Sequence, residues 1–271
     1  MIHHVLQRTV LRITGENRTA FLNRMLTQQL DPDARGQYGC LLEANGQLVA
    51  CAYWLHRESV WWAFVHSRQA GALAEGLRKY IFFRDAVTIE SADEQTLQLN
   101  PETGGTYIDS ATPSQVASWS ADIAQASDDP HPFARRRAGI PVAGIEVRSG
   151  DHVLEWDMGY ALAQKGCYVG QEVVERMWSR ARRARGRVVV ESRLELSDGQ
   201  TFEDPQFGNL EVRAPVLDPH SGLWLALGLC KAVPPPDQPV HTNSGLSISH
   251  PPLNSALPAS LSQSYNSWAG L

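Results

Sequence analysis

Apolar and polar positions alternate through "TVLRITG" and stop at Gly15, which predicts a first strand. The period then changes. In "ENRTAFLNRMLTQQL", Phe21, Leu22, Met25, Leu26 and Leu30 fall on one helical face. In "YGCLLEANGQLVACAYWLH" two apolar runs flank Asn45-Gly46, both tolerant of positive φ, so a tight hairpin is expected. "SVWWAFVH" adds a strand with Trp61 and Trp62 on opposite faces, one suited to the core and the other to a cavity wall. "SRQAGALAEGLRKYIF" predicts a helix with Ser67 as N-cap and Ala72, Leu73, Leu77 and Ile81 facing inward. "AVTIES" and "TLQLN" close the set as two short strands.

The order β-α-β-β-β-α-β-β mixes hairpins with helices and lacks regular βαβ alternation, which argues for a layered α+β domain. "ITGENRTAF" fits neither GxGxxG nor GxxxxGK[ST], so those nucleotide-binding classes gain no support. Beyond Pro101 the pattern weakens until "DDPHPFARRRAGIPVAG", a short basic helix ended by Gly139 and Pro141. From Gly186, "GRVVVESRLEL", "NLEVRAPVLD" and "GLWLALGLCKAV" are short strand-like runs separated by turn residues, as in a small antiparallel barrel. After Val233 the chain is dense in Pro and Ser, and Asp237 is its only charged residue apart from histidine. Such a segment offsets little of its ordering entropy and is expected to be mostly disordered. The expected division is an α+β domain over 1–100, a second α+β segment over 101–185, a small β-barrel over 186–233 and a tail over 234–271.

Composition narrows the setting. With 43% apolar and 20% charged residues the chain is an ordinary globular one, and its net charge of −5 gives no general attraction to nucleic acid or an anionic membrane. Four scattered cysteines with no CxxC pair argue against a zinc site or a disulfide framework. Cys40, Cys51 and Cys230 lie in apolar strands and read as buried packing thiols. Without a signal-peptide layout or an apolar run near the ~20 residues of a spanning helix, a soluble cytoplasmic protein is expected.

One stretch concentrates chemistry: "KGCYVGQEVVERM", residues 165–177. Gly166 and Gly170 free the backbone for positive φ or close approach. Val173, Val174 and Met177 continue as an amphipathic helix, with Gln171 and Glu172 in its first turn. Cys167 therefore precedes a helix N-terminus, where about half a positive charge favours an anion, and Lys165 adds another. Both effects favour the thiolate over the ordinary thiol of pKa about 8.5. A lone cysteine is also a common buried packing residue, so local chemistry leaves both readings open.

Residues 165–172 resemble the K-G-C-[FY]-x-G-Q-E signature of the YgfZ-type folate-binding proteins, relatives of the glycine-cleavage T-protein, and match it at every position. "RITGENRTAFLNRMLTQQL", "LRKYIFFRDAVTIE", "RRRAGIPVAG" and "LWLALGLCKAV" resemble further segments of that family, so the likeness spans roughly 5–233. It implies a T-protein-like fold with layered α+β domains and a C-terminal antiparallel β-barrel, around a channel for tetrahydrofolate or a one-carbon folate. It also implies support of iron–sulfur cluster assembly or repair, with iron–sulfur client or assembly proteins as partners and tRNA modification downstream. Cys167 is then the functional thiol, surrounded by Lys165, Gly166, Tyr168, Gly170, Gln171 and Glu172. No resident metal and no membrane contact are expected.

Departures qualify the resemblance. The T-protein enzyme has paired aspartates after the hairpin turn, whereas "NGQLVACAYW" carries no acid, and aminomethyl transfer loses its usual acid–base group. The enzyme's pterin-binding glutamate aligns with Arg137. Glu155 in "VLEWDMGYALAQ" is a substitute candidate, and Trp156 either stacks on a folate ring or is core. Finally, Arg176, Arg180, Arg182, Arg183, Arg185 and Arg187 crowd a dozen residues. Their forks suit folate carboxylates, Arg176 first among them, or a phosphate backbone in weak tRNA contact, or else form a solvated face balanced by acids elsewhere.

Overall fold

A computed structural model of the chain describes residues 4–6, 8–33, 37–91, 96–100, 105–109, 115–118, 132–163, 165–180, 183–235 and 239–250. The chain forms two compact units and passes between them more than once. The first comprises residues 1–128, 148–151 and 160–176, and the second 129–147, 152–159 and 177–271. The expected segment 101–185 is thus shared between them.

The first unit is built on a five-stranded antiparallel sheet. Its strands are β2 (Arg8–Gly15), β3 (Gln37–Leu42), β4 (Leu48–Arg57), β5 (Val60–His66) and β6 (Val87–Ser91), in the order β3-β4-β5-β2-β6. Alternation places Leu11, Ile13, Ala50, Ala52, Trp54, Trp61, Ala63 and Val65 in one core with helices α1 (Arg18–Met25) and α2 (Ser67–Arg78). The opposite face of β4, Cys51, Tyr53 and Leu55, is buried too, as expected of an uninterrupted apolar run. Trp61 is the core member of its pair and donates its indole N–H to Thr19 Oγ1 at 2.8 Å; Trp62 is half-buried on the other face. A separate four-stranded sheet joins β1 (His4–Leu6), β7 (Thr96–Asn100), β8 (Gly105–Asp109) and β9 (Gln115–Ser118) in the order β1-β7-β8-β9.

Local details depart from the sequence reading. α1 stops at Met25, so Leu26 and Leu30 are buried from an extended segment and not from the helix. α2 is capped by His66, whose Nδ1 accepts the Arg68 N–H at 3.3 Å, and Ser67 is its first helical residue. α2 also ends at Arg78, leaving Tyr80 and Ile81 to pack on the core from a turn. The β3–β4 connection is longer than a two-residue hairpin. Gly46 N–H closes a turn on Glu43 O at 2.9 Å, and of Asn45 and Gly46 only Gly46 takes a positive φ, 79°. This matches a three-residue loop with a bulge, and the register shifts between Leu41 and Leu42.

That register sets Cys40 opposite Cys51 with Cα atoms 4.1 Å apart, and their sulfurs are bonded as a disulfide. The reading of both as separate packing thiols is corrected. Sequence spacing could not show it, because the bulge fixes which residues face each other.

The second unit holds a six-stranded antiparallel sheet ordered β11-β12-β13-β10-β15-β14, curled into a half-barrel. Its strands are β10 (Gly186–Ser192), β11 (Thr201–Asp204), β12 (Gly208–Leu217), β13 (Trp224–Cys230), β14 (Val240–His241) and β15 (Ser247–Ser249). Val188, Val190, Leu210, Val212, Ala226 and Ile248 form its core. β14 and β15 lie within the stretch expected to be disordered. Leu246 and Ile248 are buried in this core, and the hairpin closes where Leu246 N–H donates to Thr242 Oγ1 at 3.1 Å and Thr242 N–H donates to Leu246 O at 2.8 Å. Proline and serine density hid a short pairing that the β10 edge and the sheet core hold in place. The rest of the tail, 251–271, falls outside the described residues.

α3 (Pro132–Arg137) sits in the same unit and supplies a buried ion pair. Arg136 Nη2 lies 3.1 Å from Glu146 Oε1, at 3% and 0% exposure. Arg136 Nε also donates to Ala214 O at 2.9 Å, and Glu146 Oε2 accepts Val142 N–H at 3.0 Å.

Candidate functional site

The motif is anchored on the first unit. Thr27 is the stitch: its hydroxyl donates to Ala161 O at 2.6 Å and accepts Cys40 N–H at 2.9 Å, while its carbonyl accepts Ala163 N–H at 3.0 Å. The chain leading to the motif is thereby tied to β3. Gly170 then docks on the β3–β4 turn. At its φ of 83°, a Cβ would stand 2.5 Å from Glu43 O and 3.1 Å from Gly46 Cα. Val173 completes the contact, since a Cβ at Gly46 would meet it at 3.0 Å. Gly170 is thus required for close approach of two backbones, and Gly166 has open space around it.

Helix α4 (Gln171–Ser179) starts immediately after Gly170. Gln171 organises its start: its N–H donates to Tyr168 O and its Oε1 accepts Tyr168 N–H, each at 3.3 Å. Its Nε2 donates to Glu175 Oε1 at 2.7 Å. Tyr168 is buried, and burial with Glu175 nearby pushes its phenol up to about 12, so it stays protonated. Val169 packs on the sheet core. With Tyr168, Val169 and Gly170 spent on anchoring, Cys167 is left exposed as a free thiol, whereas Cys230 is buried and its thiol is pushed up to about 12 by that burial. Lys165 points its ammonium at Asn23 O and lies 5.4 Å from the Tyr168 ring centroid. Burial lowers it to about 8, so near neutral pH it holds a readily released proton. Glu172 and Arg176 are exposed on α4.

Glu155 and Trp156 belong to the second unit. Trp156 is 0% exposed. Glu155, at 2% exposure, accepts Arg185 Nη2 at 3.1 Å. Arg185 also reaches Glu211 at 3.0 Å, while Asp157 takes Arg183 and, at 3.4 Å, Arg187. These are the acids that balance the arginine run, and spacing in sequence does not identify them. Asp157 was missed altogether, although it stands two residues from Glu155 and its left-handed φ of 55° suits an Asp. Arg137 pairs with Asp218 at 3.0 Å, and Asp218 is held below the usual carboxylate range first by the Ser221 hydroxyl. After Gly46 the strand carries no acid, and Asp151 meets Leu48 through its main chain while its carboxylate accepts Arg148 N–H at 2.8 Å.

Among solved structures, the glycine cleavage system aminomethyltransferase T from Bartonella henselae superposes with a TM-score of 0.67, covering 94% of this chain and 86% of its own at 14% identity. The chain has the fold of that T protein. At that identity the likeness shows architecture alone. No protein-family model and no curated protein matches the sequence.

Proposed function

We propose that this protein binds a reduced folate, tetrahydrofolate or a one-carbon derivative, and supports assembly or repair of iron–sulfur clusters and thereby iron–sulfur-dependent tRNA modification. Likeness to an aminomethyltransferase fold and the complete motif over 165–172 support the reading. The observation that carries it is the presentation of Cys167: Tyr168, Val169 and Gly170 anchor the turn on the first unit, and Cys167 is an exposed free thiol.

The expected folate contacts fit unevenly. Glu155 is committed to Arg185 and Trp156 is fully enclosed, so neither offers a free edge or face to a pterin. Lys165, Glu172 and Arg176 present charged groups and are the positions proposed to hold a folate, with Gly166, Tyr168, Gly170 and Gln171 shaping the turn that carries them. A folate there would supply a one-carbon carrier. The chain's own contribution is to hold an accessible thiol and, two residues away in sequence, a partly desolvated amine.

Titration with tetrahydrofolate by calorimetry tests the binding, and rescue of iron–sulfur enzyme activities by Cys167→Ala in cells lacking the native gene tests the thiol. Absence of binding heat together with full rescue would sink the proposal. An aminomethyl or one-carbon transferase reading draws on the fold, but the strand after Gly46 supplies no acid–base group. A tRNA-binding reading is weakened by the pairing of Arg183, Arg185 and Arg187 with acids.

A further inference from the structure

After α2 the first unit carries an apolar feature that neither its core nor the motif uses. The chain reads "RKYIFFRD" over 78–85, and Phe83 is 101% and Phe82 56% exposed. The turn that carries them is held from several sides. Asp85 accepts Phe82 N–H at 2.8 Å and Arg24 Nη2 at 3.1 Å on each oxygen, and its own N–H donates to Phe82 O at 2.9 Å. Asn17 Nδ2 donates to Arg84 O at 3.3 Å. Ala86 follows at a left-handed φ of 47°, its carbonyl so close to Gly15 that no side chain fits there. The Phe82 N–H, ahead of Arg24, keeps the Asp85 carboxyl below its usual range, so this clamp stays ionised at neutral pH. Single exposed apolar residues are ordinary, but two adjacent phenylalanines fixed outward by a clamp are not.

Apart from the clamping Asp85, which is buried and already paired with Arg24, the charges on this turn are positive. Between 78 and 84 there are three cations, Arg78, Lys79 and Arg84, and no acid, in a chain of net charge −5. All three are exposed, and the Arg84 guanidinium stands 5.9 Å from the Phe82 ring centroid.

We propose that this turn is a docking surface for an acidic polypeptide segment of a partner protein. The segment packs an apolar or aromatic side chain on Phe83 and sets carboxylates against Arg78, Lys79 and Arg84. Aromatic and arginine side chains carry most of the energy at such contacts, and opposite charge fixes register and speeds encounter. Single-stranded nucleic acid is less suited, because it stacks successive bases on aromatics along a cationic groove and Arg84 already occupies the neighbourhood of Phe82. An anionic bilayer is less suited, because one short inserting loop gives only marginal attachment. The proposal is independent of the folate reading.

The test uses the full chain and four defined probes: a random glutamate–tyrosine copolymer, polyglutamate of equal length, polyuridylate, and phosphatidylcholine vesicles containing phosphatidylserine. The copolymer is expected to bind about tenfold or more tightly than polyglutamate, the gain expected of one aromatic hot spot. Phe83→Ala should remove that margin without lowering the melting temperature, since the ring is fully exposed. Lys79→Glu with Arg84→Glu should abolish binding of both polymers. Equal binding of copolymer and polyglutamate, an unchanged margin in Phe83→Ala, or tighter binding of polyuridylate or vesicles would overturn the proposal.

Discussion

Gly170 and Gly166 lie four residues apart in one motif, and the structure assigns them opposite sensitivities. Gly170→Ala must place a Cβ 2.5 Å from Glu43 O, 3.1 Å from Gly46 Cα and 3.2 Å from Leu42 Cβ. All three are inside the ~3.5 Å at which carbon contacts become comfortable. Two of the three obstacles are main chain in a closed turn, so they cannot swing aside. The left-handed φ of 83° adds about 1–2 kcal/mol for any residue with a Cβ. Overpacking adds about 1–3 kcal/mol, which gives a loss of roughly 2–5 kcal/mol. At about 2–4 °C per kcal/mol for a chain unit of this size, melting should fall by roughly 4–20 °C. Gly166 has nothing within 4 Å of a Cβ, and alanine there should stay within about 0.5 kcal/mol of the native protein. Thermal melts and urea unfolding of the two variants, side by side, decide the matter. Equal melting temperatures, or a larger loss at Gly166, would refute the docking of the motif on the hairpin.

Other outcomes follow from single contacts. Native-state alkylation should modify Cys167 and spare Cys230, and only reduction with unfolding should release Cys40 and Cys51; peptide mass mapping reads this directly. Arg136→Met leaves Glu146 buried without its partner and should cost about 3–5 kcal/mol in urea unfolding, whereas Arg136→Met with Glu146→Met should cost less. Lys165 is lowered to about 8 in the fold while an unfolded lysine stays near 10.5. Between those values the unfolded chain binds a proton that the native chain lacks, so native stability should rise with pH there relative to Lys165→Met. A pH series of melts in which the difference is flat or falls would contradict it. At pH 8 an acylating reagent should also label Lys165 ahead of exposed Lys79 and Lys231.

Period and turn chemistry made the strand-and-helix order of the first hundred residues legible, because each element buries one apolar face. What stayed illegible was set by pairing between distant segments. The 40–51 disulfide depends on a bulge at Leu41–Leu42, the His66 cap on backbone geometry, and the β14–β15 hairpin on a free β10 edge. For the motif, spacing was enough to place a helix after Gly170 and a cysteine ahead of it. It was not enough to show that Gly170 serves a backbone contact with Gly46, or that the lysine amine is directed at Asn23 O.

The arginine run shows how like charges in sequence mislead about the field they make. Arg183, Arg185 and Arg187 read as a cationic patch only while the acids 26 to 30 residues away are ignored. Folding brings Glu155, Asp157 and Glu211 to them, and Arg213 joins the same group through Glu211 at 2.7 Å. Within this group four cations meet three anions, so Arg183, Arg185 and Arg187 together leave little charge to attract a phosphate backbone. Removing one arginine would expose a buried carboxylate's desolvation cost before it reported on any ligand. A folate or RNA effect seen only in Arg185→Ala or Arg187→Ala would therefore be a folding effect. A variant at exposed Glu172 is better placed to separate ligand binding from stability.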